Sequence, residues 1–181
     1  MRVMIITHDT ERRTRLTEFL SDRGYEVSVP PHRQDMWGMV KQTPPHVIVL
    51  DLYVADPSGA DILCELRADG YNGKVVALAG LSSRTTLSKC WQAGIDHVVG
   101  GLQATGGAFD PGQVDVAIQA SFQKEIAQRA YDLWVQLGRP KGQDHQHWSQ
   151  AEREFFAQLG HPVREPSLRQ EACAPHHNPA R

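Results

Sequence analysis

Five short runs of apolar residues punctuate the first hundred positions: Val3–Ile6, Tyr25–Val29, His46–Leu50, Lys74–Leu78 and His97–Val99. They are rich in Val and Ile and too short for helices, so they predict strands. Four are continuous apolar stretches, the pattern of a parallel sheet covered on both faces. The second alternates with Glu26 and Ser28, as an edge strand does. Between them the period changes. Thr10–Arg23 places Leu16, Phe19, Leu20 and Arg23 at helical spacing before Gly24, and Ser58–Ala68 starts at an N-cap and carries Ile62, Leu63 and Leu66 on one face. Arg33–Gln42 and Ser82–Ala93 read as two further helices. Strand and helix alternate throughout, and right-handed crossovers give a doubly wound five-stranded parallel sheet.

The pattern changes after the Gly-rich stretch 100–109. Asp110-Pro111 is a helix start, and Val114, Ile118, Phe122, Ile126, Ala130, Leu133 and Leu137 follow at intervals of three or four. This predicts one long helix over 111–137, about 40 Å at ~1.5 Å per residue. A turn at Gly138–Gly142 and a helix over 147–159 complete a helical hairpin. The remaining tail is rich in Pro, His and Ala and is expected to be disordered. The expected organisation is a sheet domain at 1–122, a hairpin at 123–160 and a tail at 161–181.

Composition narrows the function. The chain has 181 residues and a net charge of −2, divided evenly between residues 1–101 and the rest. Neither part is basic, which argues against nucleic acid as a partner. No apolar run approaches the ~20 residues of a membrane span, so no membrane association is expected. Three scattered cysteines and no secretory leader pattern point to reduced thiols in the cytoplasm. His145/His147 and Cys173/His176/His177 lack a complete zinc ligand set.

In an open α/β sheet, ligands sit outside the carboxyl ends of the strands. Those ends carry Thr7-His8-Asp9 after the first strand, Asp51 after the third, Ala79 after the fourth and Gly101 after the fifth. Asp51 directly follows a buried run, which makes it the most informative carboxylate. Asp51–Gly59, Leu66–Gly70, Val75–Leu78 and Ala93–Asp96 together make residues 1–101 resemble the receiver domain of bacterial two-component response regulators. That resemblance implies a flavodoxin-like sheet of order 2-1-3-4-5. It makes Asp51 the phosphoacceptor and implies Mg²⁺ as cofactor and a histidine kinase or phosphotransfer protein as partner.

The active-site positions depart from the family pattern. Its pair of acids after the first strand falls on Thr7 and His8, leaving Asp9 one position late. Its Ser or Thr falls on Ala79, and its Lys on Gly101. Asp9 and Asp51 are the candidate Mg²⁺ ligands, and weak binding is expected because His8 is a poor ligand for a hard cation. Two readings follow: a response regulator phosphorylated on Asp51, or a degenerate receiver acting as a phosphorylation-independent scaffold or dimerisation module. No nucleophile–base pair or phosphate loop suggests an enzyme.

A second resemblance rests on Arg129–Trp134, Gly138–Asp144 and His147–Glu152, which look like a small helical bacterial domain of unknown function. Tyr131, Trp134 and Trp148 are its expected core. A hairpin overhanging the sheet is expected to be a protein-binding element with a homodimer built through it; the alternative is a hairpin folded back on its own sheet domain in a monomer.

Overall fold

The computed structural model describes residues 1–53, 58–80, 84–100 and 109–161. Strands β1 (Arg2–Ile6), β2 (Glu26–Ser28), β3 (Val47–Asp51), β4 (Lys74–Ala79) and β5 (His97–Gly100) alternate with helices α1 (Thr10–Asp22), α2 (Arg33–Gln42), α3 (Gly59–Ala68) and α4 (Arg84–Gln92). The strands form one parallel sheet in the order β2-β1-β3-β4-β5. This is the doubly wound, flavodoxin-like arrangement expected from the sequence.

Strand side chains alternate between two cores. Val3, Ile5, Val47, Val49, Val76 and Leu78 pack on one face with Leu16 and Leu20 of α1. Met4, Ile48, Leu50, Val75 and Ala77 pack on the other with Met36, Leu63, Leu66 and Cys90 from α2, α3 and α4. Every residue of β3 is buried, which is why its sequence reads as an unbroken apolar run up to Asp51. Gly59 lets α3 begin directly behind that strand end. A Cβ there would lie 2.6 Å from the Asp51 carbonyl oxygen and 2.7 Å from Leu52 Cα.

The expected long helix is two helices, α5 (Pro111–Ala120) and α6 (Gln123–Gln136), followed by α7 (Asp144–Gln158). Asp110 caps α5 by accepting from Gly112 N at 2.9 Å. The helix ends where the Ser121 hydroxyl donates to the Ile118 carbonyl at 2.6 Å and Phe122 N turns to Gln119 O at 3.2 Å. A side-chain bond to the backbone and a tightened last turn reorient the chain. Apolar spacing of three or four continues across the break, so periodicity alone does not mark it.

The hairpin therefore folds back on the sheet domain instead of projecting from it. Phe122, Ile126, Leu133, Ala151 and Phe156 join the same buried cluster as Val3 and Leu20. The Phe122 ring lies 5.4 Å from Phe155 and 6.2 Å from Phe156, centroid to centroid. Lys74 Nζ, at the start of β4, pairs with Glu125 of α6 at 2.7 Å and Asp96 at 3.2 Å. Arg129 of α6 donates to Glu154 of α7 through Nε at 2.9 Å and Nη2 at 2.5 Å. The distal apolar stripe that led to the expected homodimer is thus largely covered within the chain. Of the aromatics expected as the hairpin core, Tyr131 and Trp148 are exposed, while Trp134 donates to the Pro140 carbonyl at 3.1 Å in the turn. Among the described residues, no helix is long and apolar enough to cross a membrane.

Candidate functional site at the end of the third strand

Parallel pairing of β1 with β3 brings the segment after Ile6 beside the end of β3. Thr7 and Asp51 meet there, and the Thr7 hydroxyl donates to Asp51 Oδ2 at 2.8 Å. Asp51 Oδ1 accepts the Tyr53 backbone N–H at 3.0 Å, an Asx-type turn that carries the chain off the sheet. A third donor comes from α1. Arg12 Nη1 makes a close ion pair with Asp51 Oδ2, with the two side chains only 13% and 5% exposed. Three of the roughly four acceptor directions of the carboxylate are thereby filled.

The start of α1 explains how Arg12 arrives there. Asp9 is the N-cap, accepting the Arg12 N–H at 2.9 Å. Thr7 Oγ1 in turn accepts the Asp9 N–H at 3.2 Å. The cap fixes the first helical turn, and the Arg12 side chain crosses to Asp51 while its Nη2 stays 3.7 Å from Asp9 Oδ2. The Phe109 ring covers the guanidinium at 5.5 Å, and Arg15 holds Phe109 in place by donating to its carbonyl at 2.7 Å. One guanidinium thus lies between the two carboxylates expected as metal ligands. A divalent cation joining Asp9 and Asp51 needs the space and lone pairs that Arg12 takes, so these residues do not fit a Mg²⁺ site. Among the described residues, no group of three or more His, Cys, Asp or Glu could hold a metal ion.

The other expected positions contribute less. His8 is exposed. Ala79 is buried at the end of β4, next to the residue that pairs with Asp51, and brings no hydroxyl. Gly101 and residues 54–57 of the loop after Asp51 lie outside the described residues. Arg12 is the site residue that sequence reasoning missed. Its signal was its place three residues after the capping Asp9, in a chain that keeps the strand-end aspartate and lacks the family's lysine.

An open parallel sheet with an aspartate at the end of its central strand defines a receiver-type α/β domain. The response regulator receiver domain model matches residues 3–100, more than half of the chain, and the chain belongs to that family. A second family model, described as a protein of unknown function (DUF2934), matches residues 121–157, which span α6 and nearly all of α7. No curated protein matches the chain. Among solved structures, a CheY-like receiver domain protein from Methanospirillum hungatei is 16% identical, with a TM-score of 0.60 over 70% of this chain and 97% of that one. The receiver domain of the Francisella response regulator 1452 is 16% identical, with a TM-score of 0.58 over 68% and 98%. Chemotaxis protein CheY4 of Vibrio cholerae gives 16% identity and a TM-score of 0.56 over 65% and 95%. At these identities the likeness is one of fold.

Proposed function

We propose that this chain is a cytoplasmic signalling module of the receiver family that works through protein–protein contacts without phosphoryl transfer to Asp51. The observation that carries this reading is the buried Arg12–Asp51 ion pair. A receiver aspartate attacks phosphorus through a carboxylate oxygen, with a bound cation offsetting the phosphoryl charge. Here one oxygen is held by Thr7 and Arg12 and the other by the Tyr53 N–H. The guanidinium supplies an internal positive charge, fixed in the site whether or not a phosphoryl donor is present. Ala79 offers no donor to an incoming phosphoryl oxygen. The domain is a non-enzymatic partner that holds one charge state, and its contacts are those of a receiver: histidine kinases, phosphotransfer proteins or the proteins they regulate. The α6–α7 hairpin adds surface for a further protein.

The retained aspartate at the strand end, with Gly59 packed behind it, favours the second reading, a working phosphoacceptor. Incubation with acetyl phosphate and Mg²⁺, followed by intact mass, separates the two. The proposal expects no adduct under conditions that fully phosphorylate a control receiver. An adduct present in the wild type and absent in Asp51→Asn would overturn it.

A further inference from the structure

Folding back covers the inner stripe of the hairpin and leaves its tip open. Seven large apolar residues are exposed among the described residues, and four of them, Tyr131, Val135, Leu137 and Trp148, lie on the last turns of α6 and the early turns of α7. The antiparallel packing of α7 on α6, tied by Arg129 and Glu154, brings these two helix ends together beside the turn. Contacts within the chain hold a platform at this end. The Tyr131 and Trp134 rings are 5.7 Å apart, centroid to centroid, and the Arg139 guanidinium lies 5.7 Å from the Trp134 centroid. Arg139 has a φ of 60°, in the left-handed region that non-glycine residues avoid. Its N–H donates to the Trp134 carbonyl at 2.9 Å, and the Trp134 indole N–H donates to the Pro140 carbonyl at 3.1 Å. The turn thus fixes a cation over an aromatic pair instead of letting it range through solvent.

The charges at the tip identify what fits it. Asp132, Arg139, Lys141 and Asp144 stand on or beside the turn, two of each sign. Among the described residues none of the four has an ion pair within the chain, and Asp132 accepts only the Gln128 amide N–H, at 3.0 Å. Nearer the sheet, by contrast, Arg129 pairs with Glu154 and Glu125 with Lys74. A partner with one dominant sign of charge would meet as much repulsion as attraction at this tip. A second copy turned about a two-fold axis presents the same four charges in reverse, so the cations of each copy can face the acids of the other. Tyr, Trp and Arg in an apolar centre with a charged rim is also the composition of a protein–protein interface.

We propose that the chain forms a two-fold homodimer through the tips of its α6–α7 hairpins. Tyr131, Val135, Leu137 and Trp148 supply the apolar centre, and the four unpaired charges set the register between copies. The proposal rests on reading the hairpin as a protein-binding surface and names a second copy as its partner. It does not depend on the state of Asp51. The contact is small, so the dimer is weak, with a dissociation constant on the order of tens of micromolar.

Sedimentation equilibrium on the full chain, from low to several hundred micromolar, tests this. The wild type is expected to pass from monomer to dimer across that range, and less readily in molar salt, which screens the paired charges. Two charge variants then locate the contact. Arg139→Glu/Lys141→Glu makes all four tip charges acidic, and Asp132→Lys/Asp144→Lys makes all four basic; an unchanged urea midpoint shows that each variant folds. Each alone is expected to associate at least tenfold more weakly, because like charges then face each other. An equimolar mixture of the two is expected to recover the association as a heterodimer. A wild type that stays monomeric at several hundred micromolar, a dimer indifferent to salt, a dimer that both variants retain, or folded variants that do not associate when mixed would overturn the proposal. None of these outcomes bears on the Arg12–Asp51 site, whose own test is the acetyl phosphate assay.

Discussion

Removing the Arg12 guanidinium tests the electrostatics of the site directly. Arg12→Leu keeps apolar contact under Phe109 and deletes the charge that faces Asp51. At an effective dielectric of about 20, two charges ~4 Å apart attract by about 4 kcal/mol. That attraction is set against the desolvation of both groups, so the net value of the pair is much smaller. The single variant differs from a neutral exchange because it strands a carboxylate that is 5% exposed. Thr7 and Tyr53 still donate to it, which places the expected cost at about 3 kcal/mol, the low end for breaking a buried pair. For a chain of this size that corresponds to a fall in Tm of roughly 6–12 °C. Asp51→Asn is expected to destabilise as well, by stranding the guanidinium. The double variant Arg12→Leu/Asp51→Asn is expected to recover about 2 kcal/mol relative to the sum of the singles, as directly contacting residues do. Urea unfolding followed by tryptophan fluorescence measures all four proteins. A cost below about 0.5 kcal/mol for Arg12→Leu, the range of ordinary surface changes, or strict additivity in the cycle, would refute the assignment of Arg12 as the counter-ion of Asp51.

Three further outcomes are expected. Gly59→Ala places a Cβ 2.6 Å from the Asp51 carbonyl oxygen, so α3 must shift, at a cost of about 1–3 kcal/mol; an unchanged urea midpoint contradicts that packing. Lys74→Met removes the ammonium shared by Glu125 and Asp96 and is expected to cost about 1.5 kcal/mol. Its signature is faster amide exchange in α6 and α7, and unchanged protection there would show that the pair does not dock the hairpin. His46 accepts the Arg2 N–H on Nδ1 at 2.9 Å, and burial followed by the Arg2 charge lowers its pKa below the ordinary 6.5. The folded state therefore binds fewer protons there, so this contribution is complete above about pH 6.5 and is lost as pH falls through the lowered folded value. Unfolding curves at about pH 7.5 and pH 5 should show a larger loss for the wild type than for His46→Asn; equal losses would remove His46 from the acid response.

The strands and the covering helices were legible because burial on two faces imposes a pattern that few other folds share, and the sheet order followed from the family resemblance. Val47–Leu50 could be read as a buried strand, and Asp51 as the carboxylate at its end, from four apolar residues alone. The break between α5 and α6 was not legible, because Phe122 and Ile126 keep helical spacing across a turn that Ser121 closes through its own hydroxyl. The fold-back of the hairpin was hidden for the same reason: a projecting apolar stripe and a docked one have the same sequence period. The site was legible in its carboxylates and opaque in its cation. Motif spacing places Asp51 and leaves Asp9 one position late, and Arg12, three residues after that cap, reaches Asp51 only through the length of its side chain.

The central claim is that the charge of Asp51 is met by Arg12 and not by a metal ion. An NMR titration with Mg²⁺ measures this at the Thr7, Asp9 and Tyr53 amides, with Arg12→Leu in parallel. The account expects these resonances to stay in place in the wild type through millimolar Mg²⁺, and to move in the variant, where both carboxylates lose their shared guanidinium. Saturable shifts in the wild type at sub-millimolar Mg²⁺, abolished by Asp9→Ala, would contradict it.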